Sequence, residues 1–305
     1  MCGIAGLFIK NPKLEPQLGE LLTKMTSTLC SRGPDSAGFA IYSAGQDGKT
    51  KLTIAGPSAD YDIATAAEKL RAAVAPKAPT AIHYSHAVLT LTANEARHAR
   101  EWLEANLPDV NVVSEGHRLE IFKEVGYPDD VAALFGIGAM SGSHGITHTR
   151  MATESAVSTD GAHPFSTGAD QCLVHNGSLS NHASLRRQLQ RVGIKIKTQN
   201  DSEVAAGYLT KQMRSGQTLE GALKSCLDDL DGFFTFVVGT EKGFGVLRDP
   251  IACKPAVMAE TDDYVAFRSQ PPFTSGSAAN AEYRSFKNAR PRTQRGAASA
   301  EARYE

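Results

Sequence analysis

Cys2 is the second residue of the chain, and this position gives it chemistry that an internal cysteine lacks. A small side chain at position 2 permits removal of Met1, which leaves a thiol and a free α-amine on one residue. The ordinary pKa of an α-amine is about 7.7–8.0 and that of a thiol about 8.5, so the amine can act as general base to its own thiol. A small, unreactive buried residue would also fit, and position 2 alone does not decide between the two.

Five short motifs follow one another along the chain and give Cys2 a context. They are Cys2-Gly3-Ile4-Ala5-Gly6, Arg32-Gly33-Pro34-Asp35-Ser36-Ala37-Gly38, Thr147-His148-Thr149-Arg150-Met151-Ala152-Thr153, His175-Asn176-Gly177 and Asn200-Asp201-Ser202-Glu203. In this order they resemble the class II glutamine amidotransferases over roughly residues 2–268. The resemblance implies an N-terminal-nucleophile hydrolase fold and a glutaminase that converts L-glutamine to glutamate and ammonia.

The resemblance also implies which residues perform the chemistry. Cys2 would be the nucleophile, and the oxyanion formed on the substrate amide would be bound by the Asn176 side-chain amide and the Gly177 backbone N–H. On pattern alone, an Asn-Gly pair is more commonly a hairpin turn. The family resemblance favours the oxyanion hole at these two positions.

The remaining motif residues would recognise the amino-acid part of glutamine. Arg150 is expected to bind the α-carboxylate through a bidentate fork, supported by Thr153, and Asp201 to face the α-ammonium. Arg32 and Asp35 lie in a loop that closes over bound glutamine in the family. The simpler interpretations are a surface salt bridge for Arg150 and a helix N-cap for Asp201.

The elements that must position these residues are partly readable. A buried strand is predicted over 4–9, an amphipathic helix over 14–29, and helices over 201–213 and around 218–229. Short strands follow at 233–238, 243–247, 256–258 and 264–267, separated by Gly, Pro and Asp. Because strands come in runs rather than alternating with helices, the pattern predicts an α+β fold of antiparallel sheets covered by helices. The resemblance implies an αββα sandwich.

Two segments depart from the family pattern. An insertion at about 45–140 is expected, with helical stretches around 62–74 and 93–106 and strand-like runs at 81–89 and 119–125. Such insertions usually carry function or contacts. The tail, 269–305, contains no Leu, Ile, Val or Met, which predicts a disordered extension, and a frame change in the coding sequence is equally compatible. The glutaminase domain is therefore placed at 2–268.

Composition excludes several classes of partner. A net charge of −1 lacks the basic excess that nucleic-acid binding needs. The apolar run at 131–140 is about half of the ~20 residues that a membrane helix requires. Five scattered cysteines fit neither a disulfide framework nor a zinc site, and the histidines cluster with no other ligands, so no metal or cofactor is expected. The sequence predicts a reduced, cytoplasmic enzyme.

The glutaminase pattern takes up almost the whole chain, so the ammonia acceptor is expected on a separate synthase subunit. The size and the insertion resemble the amidotransferase subunits that accompany glutamate-synthase-like flavin and iron–sulfur subunits, including those of N-methylglutamate synthase. An alternative is a non-catalytic glutamine-binding regulatory subunit, which would have no need for Cys2. Another is an N-terminal-nucleophile acylase, which would have no need for Arg150 and Asp201.

Overall fold

The computed structural model describes residues 2–151 and 157–269, and the backbone of 282–285. Its strands are β1 Gly3–Ile9, β2 Ser36–Tyr42, β3 Thr50–Ala55, β4 Thr80–His83, β5 His86–Leu91, β6 Asn111–Gly116, β7 Leu119–Val125, β8 His144–Arg150, β9 Phe165–Gly168, β10 Gln171–Leu179, β11 Gly232–Thr240, β12 Gly243–Arg248, β13 Val257–Glu260, β14 Tyr264–Arg268 and β15 Glu282–Ser285. Its α-helices are α1 Leu18–Ser27, α2 Ile63–Val74, α3 Ala93–Asn106, α4 Pro128–Leu134, α5 His182–Arg191, α6 Asp201–Arg214 and α7 Leu219–Asp229.

Two antiparallel sheets form the centre of the described structure. One has the strand order β15-β13-β14-β1-β8-β2-β7 and the other the order β12-β11-β10-β9. Their facing side chains share one core, in which Ile4 and Ile146 of the first sheet lie with Val174, Val237 and Phe244 of the second. Helices α1 and α4 cover the outer face of the first sheet, and α5, α6 and α7 cover that of the second. This αββα sandwich confirms the predicted fold class.

Alternation along β1 shows how the sequence specifies these layers. Ile4 and Phe8 point into the core between the sheets, whereas Leu7 and Ile9 point towards the helix side. Successive side chains of a strand point to opposite faces, so a strand buried on both faces reads as a continuous apolar run. The run at 4–9 is therefore a central strand, and it places Cys2 at the end of the first sheet.

The insertion contains a small sheet of its own, with strand order β4-β5-β3-β6. Helices α2 and α3 pack on this sheet around a separate core that includes Leu52, Leu70, Leu89 and Leu103. The chain leaves the first sheet after β2 and returns with β7, which pairs with β2 along its whole length. The segment predicted as inserted, 45–140, therefore holds both the independent sheet and β7 and α4, which belong to the sandwich.

Part of the predicted tail belongs to the sandwich. Ser269 is buried, its Oγ accepts a hydrogen bond from Ile4 N at 2.9 Å, and its N–H donates to Ile4 O at 3.0 Å. Further along, β15 pairs with β13 at the edge of the first sheet. The rest of 270–305 lies outside the described residues. Within the described part of the chain, the helices are all too short or too polar to span a bilayer.

Candidate active site

Cys2 lies directly before β1, at the end of the neighbouring strand β8. Its Sγ is 3.9 Å from the carbonyl oxygen of Met151, and the side chain is partly exposed. The next residue, Gly3, is paired with Thr149, and a Cβ on Gly3 would lie 2.7 Å from Thr149 Oγ1 and 2.8 Å from Leu29 Cβ. Glycine is needed there because only a residue without a side chain lets the start of β1 lie this close to β8.

Asn176 connects Cys2 to the second sheet. Its Nδ2 donates a hydrogen bond to the Cys2 carbonyl oxygen at 3.0 Å, and Arg32 Nε approaches the same oxygen at 3.4 Å. Asn176 lies inside β10, opposite Thr235 of β11, so Asn176 and Gly177 do not form a hairpin turn. The sandwich therefore brings three residues predicted for the site, distant in sequence, to one point.

Gly177 has a conformation that other residues rarely adopt. Its φ is +157°, and a Cβ there would lie 2.0 Å from the carbonyl oxygen of Phe233 on the adjacent strand. Glycine is thus required both by the dihedral angle and by the close approach of β11.

Arg150 is the last residue of β8, and its guanidinium is held at the side of the site. The residue is 5% exposed, and its Nη1 donates to the carbonyl oxygen of Gly161 at 3.2 Å. The same carbonyl lies 3.4 Å from Nδ2 of Asn200, the N-cap of α6. Arg150 and the beginning of α6 therefore meet at one carbonyl, and the Arg150 side chain is buried rather than at the surface.

Asp201 is the first residue of α6, while its neighbour Asn200 serves as the cap. Asp201 Oδ2 accepts from the backbone N–H of Leu179 at 2.8 Å, and Oδ1 lies 3.7 Å from His175 Nδ1. Burial alone would raise the pKa of this carboxyl, but its contacts with His175, Leu179 and Ser202 lower it to about 2. Asp201 is therefore ionised at neutral pH and can accept hydrogen bonds from an ammonium group.

Two buried histidines, His148 and His163, pack next to the strand that carries His175 and Asn176. His148 Nε2 donates to the His175 carbonyl oxygen at 3.1 Å, and the ring of His148 stacks on that of His163 with 4.1 Å between centroids. Burial lowers the pKa of His148 to about 3 and holds that of His163 well below the ordinary value of an imidazole. Both imidazoles are neutral, so they serve as structural supports rather than as acid–base groups.

The loop after Arg32 is held against β8. A Cβ on Gly33 would lie 2.5 Å from backbone atoms of Thr149, Asp35 N donates to Arg150 O at 3.1 Å, and Gly126 N donates to Asp35 O at 3.0 Å. Residues 36–38 already belong to β2. Several residues of the 32–38 motif are therefore held in place by β2 and β8, and a loop that closes over a substrate would be shorter than this motif.

Some predicted features fall elsewhere. Thr153 lies outside the described residues. Over 2–151 and 157–269, His, Cys, Asp and Glu side chains form no group of three or more that could hold a metal. All five cysteines are free thiols; Cys253 is exposed, and burial raises the pKa of Cys30 and of Cys172 to about 11.

Sequence reasoning missed the segment 160–162, whose carbonyl groups face Arg150 and the buried Lys123. Backbone carbonyls carry no residue signature, and Lys123 stands in an ordinary strand sequence, so no pattern marked this part of the site.

Comparisons with known proteins agree with this geometry. A family model described as a glutamine amidotransferase domain matches residues 148–273. The glutamine amidotransferase-like protein GlxB of Rhizobium meliloti is 60% identical over 270 residues, covering 88% of this chain and 89% of that protein. The isomerizing glutamine–fructose-6-phosphate aminotransferase of Mycobacterium bovis is 34% identical over 129 residues, 41% of this chain and 21% of that enzyme.

A solved structure supports the fold independently. The glutamine phosphoribosylpyrophosphate amidotransferase of B. subtilis superposes with a TM-score of 0.53 at 19% identity, over 88% of this chain and 42% of that one. At this identity the likeness establishes the shared fold alone.

Proposed function

Since this chain belongs to the family of glutamine amidotransferase-like proteins, we propose that it hydrolyses the side-chain amide of L-glutamine with Cys2 as the nucleophile. The observation that carries the proposal is the convergence of residues from all five motifs, which come from strands β1, β8 and β10, from the turn at Arg32 and from the start of α6. Asn176 and Arg32 meet at the Cys2 carbonyl oxygen, while Arg150 and the start of α6 meet at the Gly161 carbonyl oxygen. The domain that performs the reaction is the one predicted at 2–268.

In the proposed reaction, the α-amine of Cys2 removes the thiol proton and the thiolate attacks the amide carbon of glutamine. The Asn176 amide has two N–H bonds; one is directed at the Cys2 carbonyl oxygen, and the other is available to the oxyanion together with the Gly177 N–H. The Cys2 ammonium returns the proton to the departing ammonia, leaving a thioester. Water then hydrolyses the thioester and releases glutamate.

Substrate orientation follows from the charges on the two sides of the site. Arg150 would bind the α-carboxylate and the ionised Asp201 the α-ammonium, with Thr153 and Arg32 in supporting roles. This pair favours glutamine over the simple amide of an N-terminal-nucleophile acylase. A regulatory subunit that only binds glutamine would not require a thiol at the junction of β1, β8 and Asn176.

The test is covalent labelling with a glutamine-analogue electrophile, followed by intact-mass and peptide analysis. Cys253 is the other cysteine with exposed surface, so the experiment uses the Cys253→Ser variant as its background. We expect mature protein lacking Met1, a single adduct on Cys2, and neither adduct nor ammonia release in Cys2→Ala. Unchanged ammonia release in Cys2→Ala, or retained Met1 in active protein, would contradict the proposal.

We further propose that the ammonia passes to a separate synthase subunit of the glutamate-synthase type, carrying flavin and iron–sulfur groups. Support comes from apolar side chains exposed where the insertion joins the sandwich: Ile82 is 47%, Tyr84 43% and Leu134 46% exposed. The Tyr84 ring lies edge-on to Phe135, which follows α4, so insertion and sandwich contribute to one surface.

Co-purification from the native host tests this second proposal. We expect a subunit with flavin absorbance to accompany the wild-type protein and to be lost with Tyr84→Glu. Val192→Glu is the matched control, because Val192 is also an exposed apolar residue but lies beside α5. Purification of the chain alone, with a complete synthase reaction on an added acceptor, would contradict the subunit proposal.

A further inference from the structure

Lys123 on β7 is a buried lysine whose ammonium reaches the main chain beside the glutamine site. The residue is 5% exposed, and Nζ donates to Asp160 O at 3.1 Å and to Ala162 O at 2.8 Å. The carbonyl between them, Gly161 O, accepts from Arg150 Nη1 at 3.2 Å. Three successive carbonyls are thus bound by one ammonium and one guanidinium.

Keeping this ammonium away from water has a cost. Burial lowers the pKa of Lys123 to about 8; Asp160 and Glu203 oppose the shift, and Lys197 and Arg150 add to it. The ring of Phe165, 4.8 Å from Nζ, and the two carbonyls offset part of this cost. An apolar side chain of similar length would fill the space without the desolvation penalty, so packing does not explain the choice of lysine.

Glu124, the next residue on β7, binds Thr159, which directly precedes the segment 160–162. Its carboxylate accepts a hydrogen bond from Thr159 Oγ1, and its Oε2 accepts one from Ser85 Oγ at 2.8 Å. The main chain at His163 lies against β2 so closely that a Cβ on Gly38 would be 1.9 Å from His163 O. The segment 159–163 is therefore fixed to β2 and β7 along its length.

We propose that Lys123 is a positioning residue for the glutamine site: by fixing the main chain of 160–162, it holds Gly161 O where that carbonyl aligns the Arg150 guanidinium. The proposal rests on the proposed function, in which Arg150 binds the α-carboxylate. A bidentate contact needs both N–H groups in the carboxylate plane, so a small displacement of the supporting carbonyl weakens substrate binding.

The test is steady-state glutaminase kinetics on Lys123→Met, which keeps an unbranched side chain but removes the charge and the donors. We expect the KM for glutamine to rise at least about tenfold with kcat changed less than about threefold. Lys123→Gln, which retains two N–H donors, should have an intermediate KM. The matched control is Lys51→Met, since Lys51 is also largely buried and contacts β7, but at Glu120, on the insertion side. Its KM should be that of the wild type.

A double-mutant cycle with Arg150→Lys separates positioning from general destabilisation. If Lys123 acts through Arg150, Lys123→Met should raise KM little further once Arg150→Lys is present, whereas independent effects would multiply. Wild-type KM in both Lys123→Met and Lys123→Gln, or fully multiplicative effects, overturns the proposal. If Lys123→Met does not fold, the same double-mutant cycle made from Lys123→Gln and Arg150→Lys decides. Failure of the proposed function is distinguishable, because then the wild type itself would show no hydrolysis dependent on Cys2.

Discussion

At the residue scale, Arg150 shows why its identity matters beyond its charge. One guanidinium N–H binds Gly161 O, and a planar guanidinium can present two parallel N–H groups to a carboxylate, which the ammonium of a lysine cannot do. Arg150→Lys should therefore raise the KM for glutamine about 10- to 100-fold, because a charge-assisted hydrogen bond worth about 1.5–3 kcal/mol is lost. Steady-state kinetics measures this change. An unchanged KM would remove Arg150 from substrate binding.

Asn176 should behave differently, because its predicted role belongs to the transition state. Asn176→Ala removes the amide beside Cys2, and kcat should fall by roughly 10²–10³ with KM little changed if it acts as an oxyanion donor. Its hydrogen bond to Cys2 O also orients the nucleophile, so the loss of kcat contains both effects. A change confined to KM would reverse the role assignment.

At the scale of elements, β10 and β11 determine the backbone at Gly177. Gly177→Ala combines an unfavourable φ of +157° with a Cβ 2.0 Å from Phe233 O, so the strand pair must separate. We expect the free energy of unfolding to fall by about 2–4 kcal/mol in urea denaturation. Gly48→Ala is the control: its φ is +69° with no heavy atom within 4 Å, so it should cost only about 1 kcal/mol. Equal losses would show that the close approach of β11 is unimportant.

At the scale of the whole molecule, buried neutral histidines should make the fold sensitive to acid. Burial lowers the pKa of His86, His144 and His148 to about 3, against about 6.5 in the unfolded chain, and also holds the pKa of His163 well below that value. The unfolded state therefore binds more protons below pH 6.5, and stability is full above that pH and falls as pH decreases. Each such histidine contributes a slope of about 1.4 kcal/mol per pH unit near pH 5.

Urea denaturation between pH 7.5 and 5 tests this expectation. His144→Gln should reduce the slope of stability against pH by one histidine's contribution, whereas His98→Ala, at an exposed position on α3, should leave the slope unchanged. Stability independent of pH between 6.5 and 5 would show that these histidines are protonated in the folded protein.

Several helices and strands of this fold can be predicted from the local sequence pattern alone. The helices at Ile63–Val74 and Ala93–Asn106 lie where Ala-rich helical stretches were predicted, and each buries one face. The strand at Leu119–Val125 lies at a predicted strand-like run, although it is buried on both faces over 121–124. Helix α5 was not predicted, because only Leu185 and Leu189 are buried in a strongly polar segment. Strand β3 was not predicted either, because polar and apolar residues do not alternate regularly over its six residues.

The sequence by itself determined the nucleophile candidate and the order of the motifs, because these depend on residue type and spacing. Only the tertiary structure decided how Lys123, Gly161 and Arg150 come together. The contacts among them run through backbone carbonyls, which every residue possesses, and so leave no trace in composition or periodicity. They also join positions on β7, on β8 and in the segment before β9, which become neighbours only when the sheets are formed, since strand pairing brings together residues far apart in sequence.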